Sequence, residues 1–269
     1  MFRLLRIELT KSTSYYVFWG MAALNLMALA GLYWGIQPFI DDKLADASRN
    51  SPIPIPAISL YNFPEIWHNL SFMAGSRFFL MFPALVIILL VTNEYSFRTI
   101  RQNVIDGLSR TEFFLGKLYL SVFIALFLSL FLLINGFLLG IIHSADVSSV
   151  AILSKIHFIA AYFLEVLAFC SLAMMIGFLV PKSIFALGIL FVYAVIAEPI
   201  ATHFVGESYK QFFPLYAMSG VIDVPNSSLM KLFGVQFKDY IDWALVLITL
   251  GWTVVFNLIS LWIVRKKNL

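Results

Sequence analysis

Six long apolar runs constrain this chain more than any other feature of its sequence. Each run is about 20 residues long, which is the length that an α-helix needs to cross the ~30 Å hydrocarbon layer of a bilayer. The runs are continuous and lack the alternating pattern of membrane β-strands. The sequence therefore predicts an all-α integral membrane protein whose six transmembrane helices lie at about 16–36, 72–92, 118–142, 157–180, 183–202 and 242–264.

The composition excludes a soluble protein. Hydrophobic residues make up 61% of the 269 residues, and charged residues make up only 12%. A soluble domain carries about 25% charged residues, because its surface must be covered by polar groups. We therefore interpret residues 1–269 as a single transmembrane domain.

The distribution of basic residues predicts the orientation. With both termini in the cytoplasm, eleven of the 18 Lys and Arg residues fall on the cytoplasmic side. The outer loops are longer and contain more Asp and Glu, so the difference in the density of positive charge is larger still. We expect a multi-pass protein of the inner (cytoplasmic) membrane with both termini inside. The net charge of +3 reflects this asymmetry and does not indicate a nucleic-acid partner.

The segment before the first run, 1–13, predicts an amphipathic helix. Such a helix suits either a basic anchor that fixes the topology or a docking role, and the sequence leaves both open. Its apolar face would hold Phe2, Leu5 and Leu9, with Arg3, Arg6 and Thr10 turned away.

The last outer connection, about 203–241, is long but not very polar. Its stretch 212–218 is almost wholly apolar. We expect this stretch to enter the bilayer as a re-entrant hairpin, which requires that protein covers its backbone. The alternative is a loop that lies on the lipid headgroups.

Catalytic, metal-binding and nucleotide-binding motifs are not found in the sequence. The four histidines are scattered and do not pair at metal-ligand spacing. Gly116 and Lys117 resemble the end of a phosphate-binding loop, but Thr111 stands where that motif needs glycine and Leu118 where it needs Ser or Thr. We expect no cofactor on this chain.

Three polar residues lie within the predicted spans. Glu198 is near the outer end of the fifth span, and Glu165 is deeper, about 14 Å from the outer boundary at 1.5 Å per residue. Asn135 reaches a similar depth, about 10 Å. Because a charge inside a membrane is costly, these residues are candidates for a transport path. The alternative is a structural pair in which a protonated Glu165 binds a neighbouring helix, and both interpretations stay open.

Two glycine pairs have the spacing that allows membrane helices to approach closely. They are Gly31 with Gly35 and Gly136 with Gly140. The sequence does not show whether these contacts lie within one chain or between two.

A charged segment, 93–117, joins the second and third spans. Its residue order resembles that of the permease subunits of ABC-type exporters of the type-2 class. The resemblance extends to six spans, an N-terminal amphipathic helix and a long last outer connection. One departure is Gly107-Leu108, where many members have proline. The residues that carry the resemblance are Glu94, Thr99, Gly107-Leu108-Ser109-Arg110 and Gly116-Lys117.

The resemblance implies a division of labour between subunits. A coupling helix at 96–106 would dock on a separate ATP-binding subunit, and the N-terminal helix would brace it. Two permeases, identical or different, would assemble with two ATP-binding subunits, which would hold ATP and Mg²⁺. The first and fifth spans would lie near the permease interface, and the second and fifth would line the path. The coupling residues would be Glu94, Arg98, Thr99, Arg101, Asp106, Ser109, Arg110 and Lys117.

Two alternatives to this interpretation follow from the residues. The arginines of the segment also suit headgroup anchors that determine topology. A membrane-embedded scaffold or a lipid-modifying enzyme is the second hypothesis, which would need reactive groups that converge at one depth. For an exporter, the abundance of Phe and the few charges within the spans favour a lipid-like, peptide or hydrophobic cargo.

Overall fold

The computed structural model describes residues 2–50, 59–97, 107–225 and 240–266, and helices account for all the regular secondary structure in these ranges. A π-helical turn, Tyr193–Ala197, directly follows the helix Ser183–Val192. The helices are α1 (Phe2–Thr13), α2 (Tyr16–Asn50), α3 (Glu65–Ala74), α4 (Arg77–Ser96), α5 (Arg110–His143), α6 (Ser149–Ser154), α7 (His157–Leu179), α8 (Ser183–Val192), α9 (Glu198–Phe204), α10 (Glu207–Lys210), α11 (Pro214–Val221) and α12 (Trp243–Lys266).

Among the residues that the structure describes, six helical stretches are long and apolar enough to span a membrane: α2, α4, α5, α7, α8 with α9, and α12. The prediction of an all-helical chain with six helices of membrane length is therefore confirmed. These helices indicate a multi-pass membrane protein.

Helix α7 lies at the centre of the bundle. It packs on α4, α5 and α12, and also on α3 and α11. Its side chains are almost all apolar on every side, as expected for a helix that is covered all round. Phe158, Phe169 and Phe178 are among its fully buried side chains.

The outer helices expose much of their apolar surface. In the most apolar stretch of α2 only 17% of the residues are buried, against 72% in the stretch that contains α7. The corresponding values are 22% for α8 with α9 and 28% for α12. These surfaces are the parts of the bundle left for lipid or for another subunit.

The second span differs from its prediction. The predicted helix at 72–92 is divided, because α3 ends at Ala74 and α4 begins at Arg77. Gly75 lies at the break, and a β-carbon there would collide with the Glu165 carboxylate. The span that follows the break ends at Ser96, four residues later than predicted.

Two other helices continue beyond their predicted spans. α2 runs to Asn50, and Gln37 Nε2 donates to Asp41 Oδ1 at 2.8 Å in this extension. Side chains spaced four residues apart stabilise a helix in this way. α5 begins at Arg110, eight residues before the predicted start at 118, because Ser109 caps it.

Candidate functional site

A buried charge cluster lies where α1 meets the ends of α4 and α5, and we call this end of the bundle the platform end. Lys117 Nζ is 2.6 Å from Glu8 Oε2 and 3.0 Å from Glu94 Oε1. Lys11 Nζ is 3.3 Å from the same Glu94 oxygen. The Lys117 side chain is only 2% exposed, and the two carboxylate side chains are 5% and 7% exposed. Two carboxylates therefore share two ammonium groups across three helices.

Gly116 allows α1 to approach α5 closely enough for this cluster. A β-carbon on Gly116 would lie 3.1 Å from Glu8 Cγ, which is tighter than ordinary contact. On α1, Leu4, Glu8 and Ser12 are buried. Because these residues are four apart, they share the face of α1 that packs on α5.

The buried face of α1 is centred differently from the predicted one. Arg3 and Arg6 are exposed, as the sequence suggested, but Leu5 and Leu9 are only half-buried. The buried face is centred on Glu8 because Lys117 binds the carboxylate of that residue.

The start of α5 is fixed by a capping box. Ser109 Oγ accepts a hydrogen bond from the Glu112 amide at 3.2 Å, and Glu112 Oε2 accepts one from the Ser109 amide at 2.8 Å. Gly107 precedes this cap with a φ of 92°, a left-handed conformation that favours glycine. A proline at position 107 would be incompatible with this φ, since proline holds φ near −65°.

Arg110 ties α5 to the end of α12. Its Nη1 donates to the Arg265 carbonyl at 2.7 Å. In return, Arg265 Nη2 donates to Thr111 Oγ1 at 3.3 Å. The platform end thus joins α1, α4, α5 and α12.

Half of the predicted coupling residues are placed by the structure. Glu94 and Lys117 meet in the charge cluster, and Ser109 and Arg110 fix the start of α5. The predicted coupling helix at 96–106 is described only at Ser96, which ends α4, and at Phe97, which caps it. Arg98, Thr99, Arg101 and Asp106 lie outside the described residues.

Asn135 ties two spans together. Its Oδ1 accepts a hydrogen bond from Trp34 Nε1 of α2 at 3.1 Å, and its Nδ2 donates to the Phe131 carbonyl at 2.8 Å. In the described part of the chain, no hydrogen bond joins Asn135 to Glu165. Their similar predicted depth therefore does not make them a hydrogen-bonded pair.

Glu165 is 2% exposed and packs against Gly75 at the break between α3 and α4. Its Oε2 atom has no hydrogen-bond partner among the residues that the structure describes. The hydroxyls of Tyr33 and Ser71 are also buried without partners in the same ranges. A buried polar group of this kind is costly to retain, so each one needs an explanation.

Glu198 links the fifth span to the connection that follows it. The residue is 2% exposed, and its Oε1 accepts a hydrogen bond from the Tyr216 amide at 2.7 Å. Tyr216 is the third residue of α11, so the carboxylate satisfies one of the free amides at the start of this helix. The amide also lies where a helix favours negative charge.

The π-helical turn gives Arg77 its partner. The Glu198 amide donates to the Tyr193 carbonyl, five residues back. In this register the Ala194 carbonyl would accept from residue 199, but Pro199 has no N–H. Arg77 Nη1 takes that place and donates to Ala194 O at 2.8 Å. Arg77 thus ties α4 to the fifth span.

The sequence interpretation did not select Glu8, Lys11 or Arg77. Glu8 is the single acidic residue of α1, and Arg77 is a lone Arg in an otherwise apolar stretch. Both were visible as isolated charges, but their partners are 109 and 117 residues away in sequence. In the described ranges, no group of three or more His, Cys, Asp or Glu is placed to hold a metal ion.

The comparisons with known proteins give one family. No curated protein matches the chain. A family model described as "Protein of unknown function (DUF2705)" matches residues 52–269, which is well over half of the chain. The match includes Glu94 and Lys117 of the charge cluster and begins after Glu8 and Lys11. The chain therefore belongs to the DUF2705 family.

Proposed function

We propose that this protein is the permease subunit of an ABC-type exporter of the type-2 class. It moves a hydrophobic or lipid-like cargo outward, and two separate ATP-binding subunits supply the energy. Both termini lie in the cytoplasm, and the protein resides in the inner membrane. The observation that carries the proposal is the buried charge cluster at the two helix ends that flank the predicted coupling helix at 96–106.

The charge cluster suits a segment that transmits force. A docked helix moves the spans only if its flanking helices are joined firmly to it and to each other. Lys117 joins α5 to Glu94 of α4 and to Glu8 of α1. Breaking a buried pair of this kind typically costs about 3–5 kcal/mol, so the three helices move as one unit.

The capping box and Arg110 extend this unit. Ser109 fixes where α5 begins, and Arg110 binds the last turn of α12. In the proposed mechanism, closure of the ATP-binding subunits pushes on 96–106 and displaces α1, α4, α5 and α12 together. The chain itself performs no ATP chemistry.

The exposed faces support a second permease subunit. α2 and the fifth span, α8 with α9, bury the smallest fractions of their apolar stretches. Around Gly31 and Gly35 there is open space, since no described atom lies within 4 Å of an added β-carbon. A second helix can approach α2 closely at these glycines. We therefore place the permease interface at the first and fifth spans.

The last connection supplies the proposed outer closure of the path. α10 and α11 are short helices separated by Gln211, Phe212 and Phe213, and Glu198 binds the start of α11. We assign α10 and α11 to the re-entrant hairpin. Glu198 and Glu165 are the path candidates of this proposal, whereas Asn135 has a structural role between α2 and α5.

Cysteine cross-linking tests the docking. Thr99→Cys, in a background where the buried Cys170 is replaced by Ala, is treated with a thiol-to-amine cross-linker in native membranes. We expect an adduct with a protein that contains a phosphate-binding loop, identified by mass spectrometry. Ser149→Cys, exposed on α6, is the matched control and gives no such adduct. Absence of the adduct at Thr99→Cys, with a labelled cysteine, contradicts docking at this helix.

A further inference from the structure

A cavity of about 530 Å³ lies between α2 on one side and α4 and α5 on the other. This volume falls within the ~300–1,000 Å³ of small-molecule sites. Four phenylalanines contribute to its wall, among them Phe18, Phe82 and Phe123. Leu9 and Thr13 of α1 border it as well, so it extends toward the platform end.

The cavity exists because neighbouring side chains do not fill the space between the helices. α2 contributes the short side chains of Ala22 and Ala23 to its wall. On α4 the wall includes Pro83, which removes a helical hydrogen bond and disturbs regular packing. The space is therefore a consequence of the sequence at this position.

Asn25 of α2 is the polar residue of the cavity wall that lies near the mid-depth of the span. The residue lines the cavity, is 4% exposed, and its Oδ1 atom is buried with no hydrogen-bond partner among the described residues. It follows Tyr16, the first residue of α2, by nine residues, about 14 Å at 1.5 Å per residue. That depth is close to the midplane of a ~30 Å hydrocarbon layer.

The unpartnered Asn25 Oδ1 points to a ligand. A carboxamide is both a hydrogen-bond donor and an acceptor, and it is expensive to leave unpaired in apolar surroundings. Because Asn25 is buried toward α4 and α5, a helix of a second copy on the outer face of α2 would not reach it. A hydroxyl or amide group inside the cavity would satisfy it.

The lining also defines the charge of the ligand. The residues around the cavity are apolar apart from Thr13 and Asn25, and none is Lys, Arg, Asp or Glu. A phosphate or carboxylate would find no counter-ion there, and its burial would be costly. We propose that the cavity binds a neutral, lipid-soluble molecule with a long apolar part and one hydroxyl or amide group bonded to Asn25. This inference concerns binding alone and does not depend on the proposed transport function.

Binding of a long-chain alcohol tests the inference. The full chain is reconstituted into nanodiscs, and binding of radiolabelled 1-hexadecanol is measured by scintillation proximity, with empty nanodiscs as the background. Hexadecyl methyl ether is the matched competitor, because it has the same chain but no hydrogen-bond donor. We expect saturable binding, with the alcohol bound about threefold to tenfold more tightly than the ether, the worth of one hydrogen bond. Equal affinity of alcohol and ether for the unmodified protein overturns the proposal.

Two variants locate the site. Asn25→Leu is expected to remove the preference for the alcohol and leave the affinity for the ether unchanged. Ala22→Phe fills the cavity and is expected to abolish saturable binding of both compounds, whereas Ala28→Phe on the same helix, outside the cavity wall, leaves both affinities unchanged. If the Ala22→Phe variant still binds the alcohol saturably, the cavity is not the site. The same holds if the unmodified protein does not bind the alcohol and Ala22→Phe changes only the oligomeric state.

Discussion

Replacement of Lys117 by methionine removes the cation that lies between Glu8 and Glu94. Methionine is close to lysine in length and leaves the hydrocarbon stem in place. Glu94 keeps Lys11 at 3.3 Å, but Glu8 loses the only ion pair it forms with the residues described in the structure. The result is a buried carboxylate without a counter-ion.

The loss of stability that we expect follows from the burial of Lys117, Glu8 and Glu94. None of these three side chains is more than 7% exposed. Removing one partner of a buried ion pair costs about 3–5 kcal/mol, because the other charge stays buried and unpaired. For Lys210, whose partner Glu207 is 81% exposed, the same substitution removes a surface pair. Such a pair contributes only about 0–1 kcal/mol.

Equilibrium unfolding in mixed micelles with increasing SDS measures both variants. We expect Lys117→Met to lower the free energy of unfolding by about 3–5 kcal/mol and the control Lys210→Met by less than about 1 kcal/mol. Adding Glu8→Gln to Lys117→Met removes the uncompensated charge and should restore about 1–3 kcal/mol. If Lys117→Met costs no more than Lys210→Met, or if Glu8→Gln adds to the loss, the reasoning about the charge cluster is wrong.

Three further predictions concern the packing of the spans. Gly140→Ala would drive a β-carbon into the Phe63 ring and is expected to lower stability by about 1–3 kcal/mol. Gly35 has open space around it, so Gly35→Ala is neutral or stabilising in the monomer. Thermal unfolding followed by size-exclusion chromatography compares the two variants. Arg77→Met leaves the Ala194 carbonyl unpaired and should lower stability by about 1–3 kcal/mol in the same assay. In an Arg77→Met/Pro199→Ala double variant, the restored N–H should recover part of that loss, and a strictly additive result would contradict the assigned role of Pro199.

The sequence predicted what depends on local properties of the chain. The lengths of the apolar runs gave six membrane-length helices, because spanning a bilayer demands a minimum length. Ser109 was selected as part of a motif, and its hydroxyl caps α5 as a serine before a helix does. Arg3 and Arg6 were placed on the exposed side of α1, where the structure has them.

Features that depend on partners distant in sequence could not be predicted. At the Gly75 break the backbone packs against the Glu165 carboxylate, which is 90 residues away along the chain. Equal depth suggested a link between Asn135 and Glu165, but depth does not determine which way a helix is rotated. Asn135 in fact faces Trp34 of α2. A single sequence does not determine how each helix is rotated about its own axis.

At the platform end, two residues selected from the sequence bind each other in the structure. The resemblance selected Glu94 and Lys117 as members of one motif, 23 residues apart, without a physical reason for their pairing. The structure supplies the reason, since the Lys117 ammonium and the Glu94 carboxylate form a buried ion pair. Glu8 adds a second carboxylate beside Lys117, and it comes from α1, a helix that the motif does not include.

Purification of the native complex tests the central claim most directly. The full chain, tagged at one terminus, is extracted from native membranes in mild detergent, and the copurifying proteins are identified by mass spectrometry. The permease proposal predicts stoichiometric recovery of a subunit with a phosphate-binding loop, and ATP hydrolysis by the complex that is lost when that loop's lysine is replaced. An isolated chain that moves cargo across proteoliposomes with no such subunit, or a native complex free of any ATPase, would contradict the proposal.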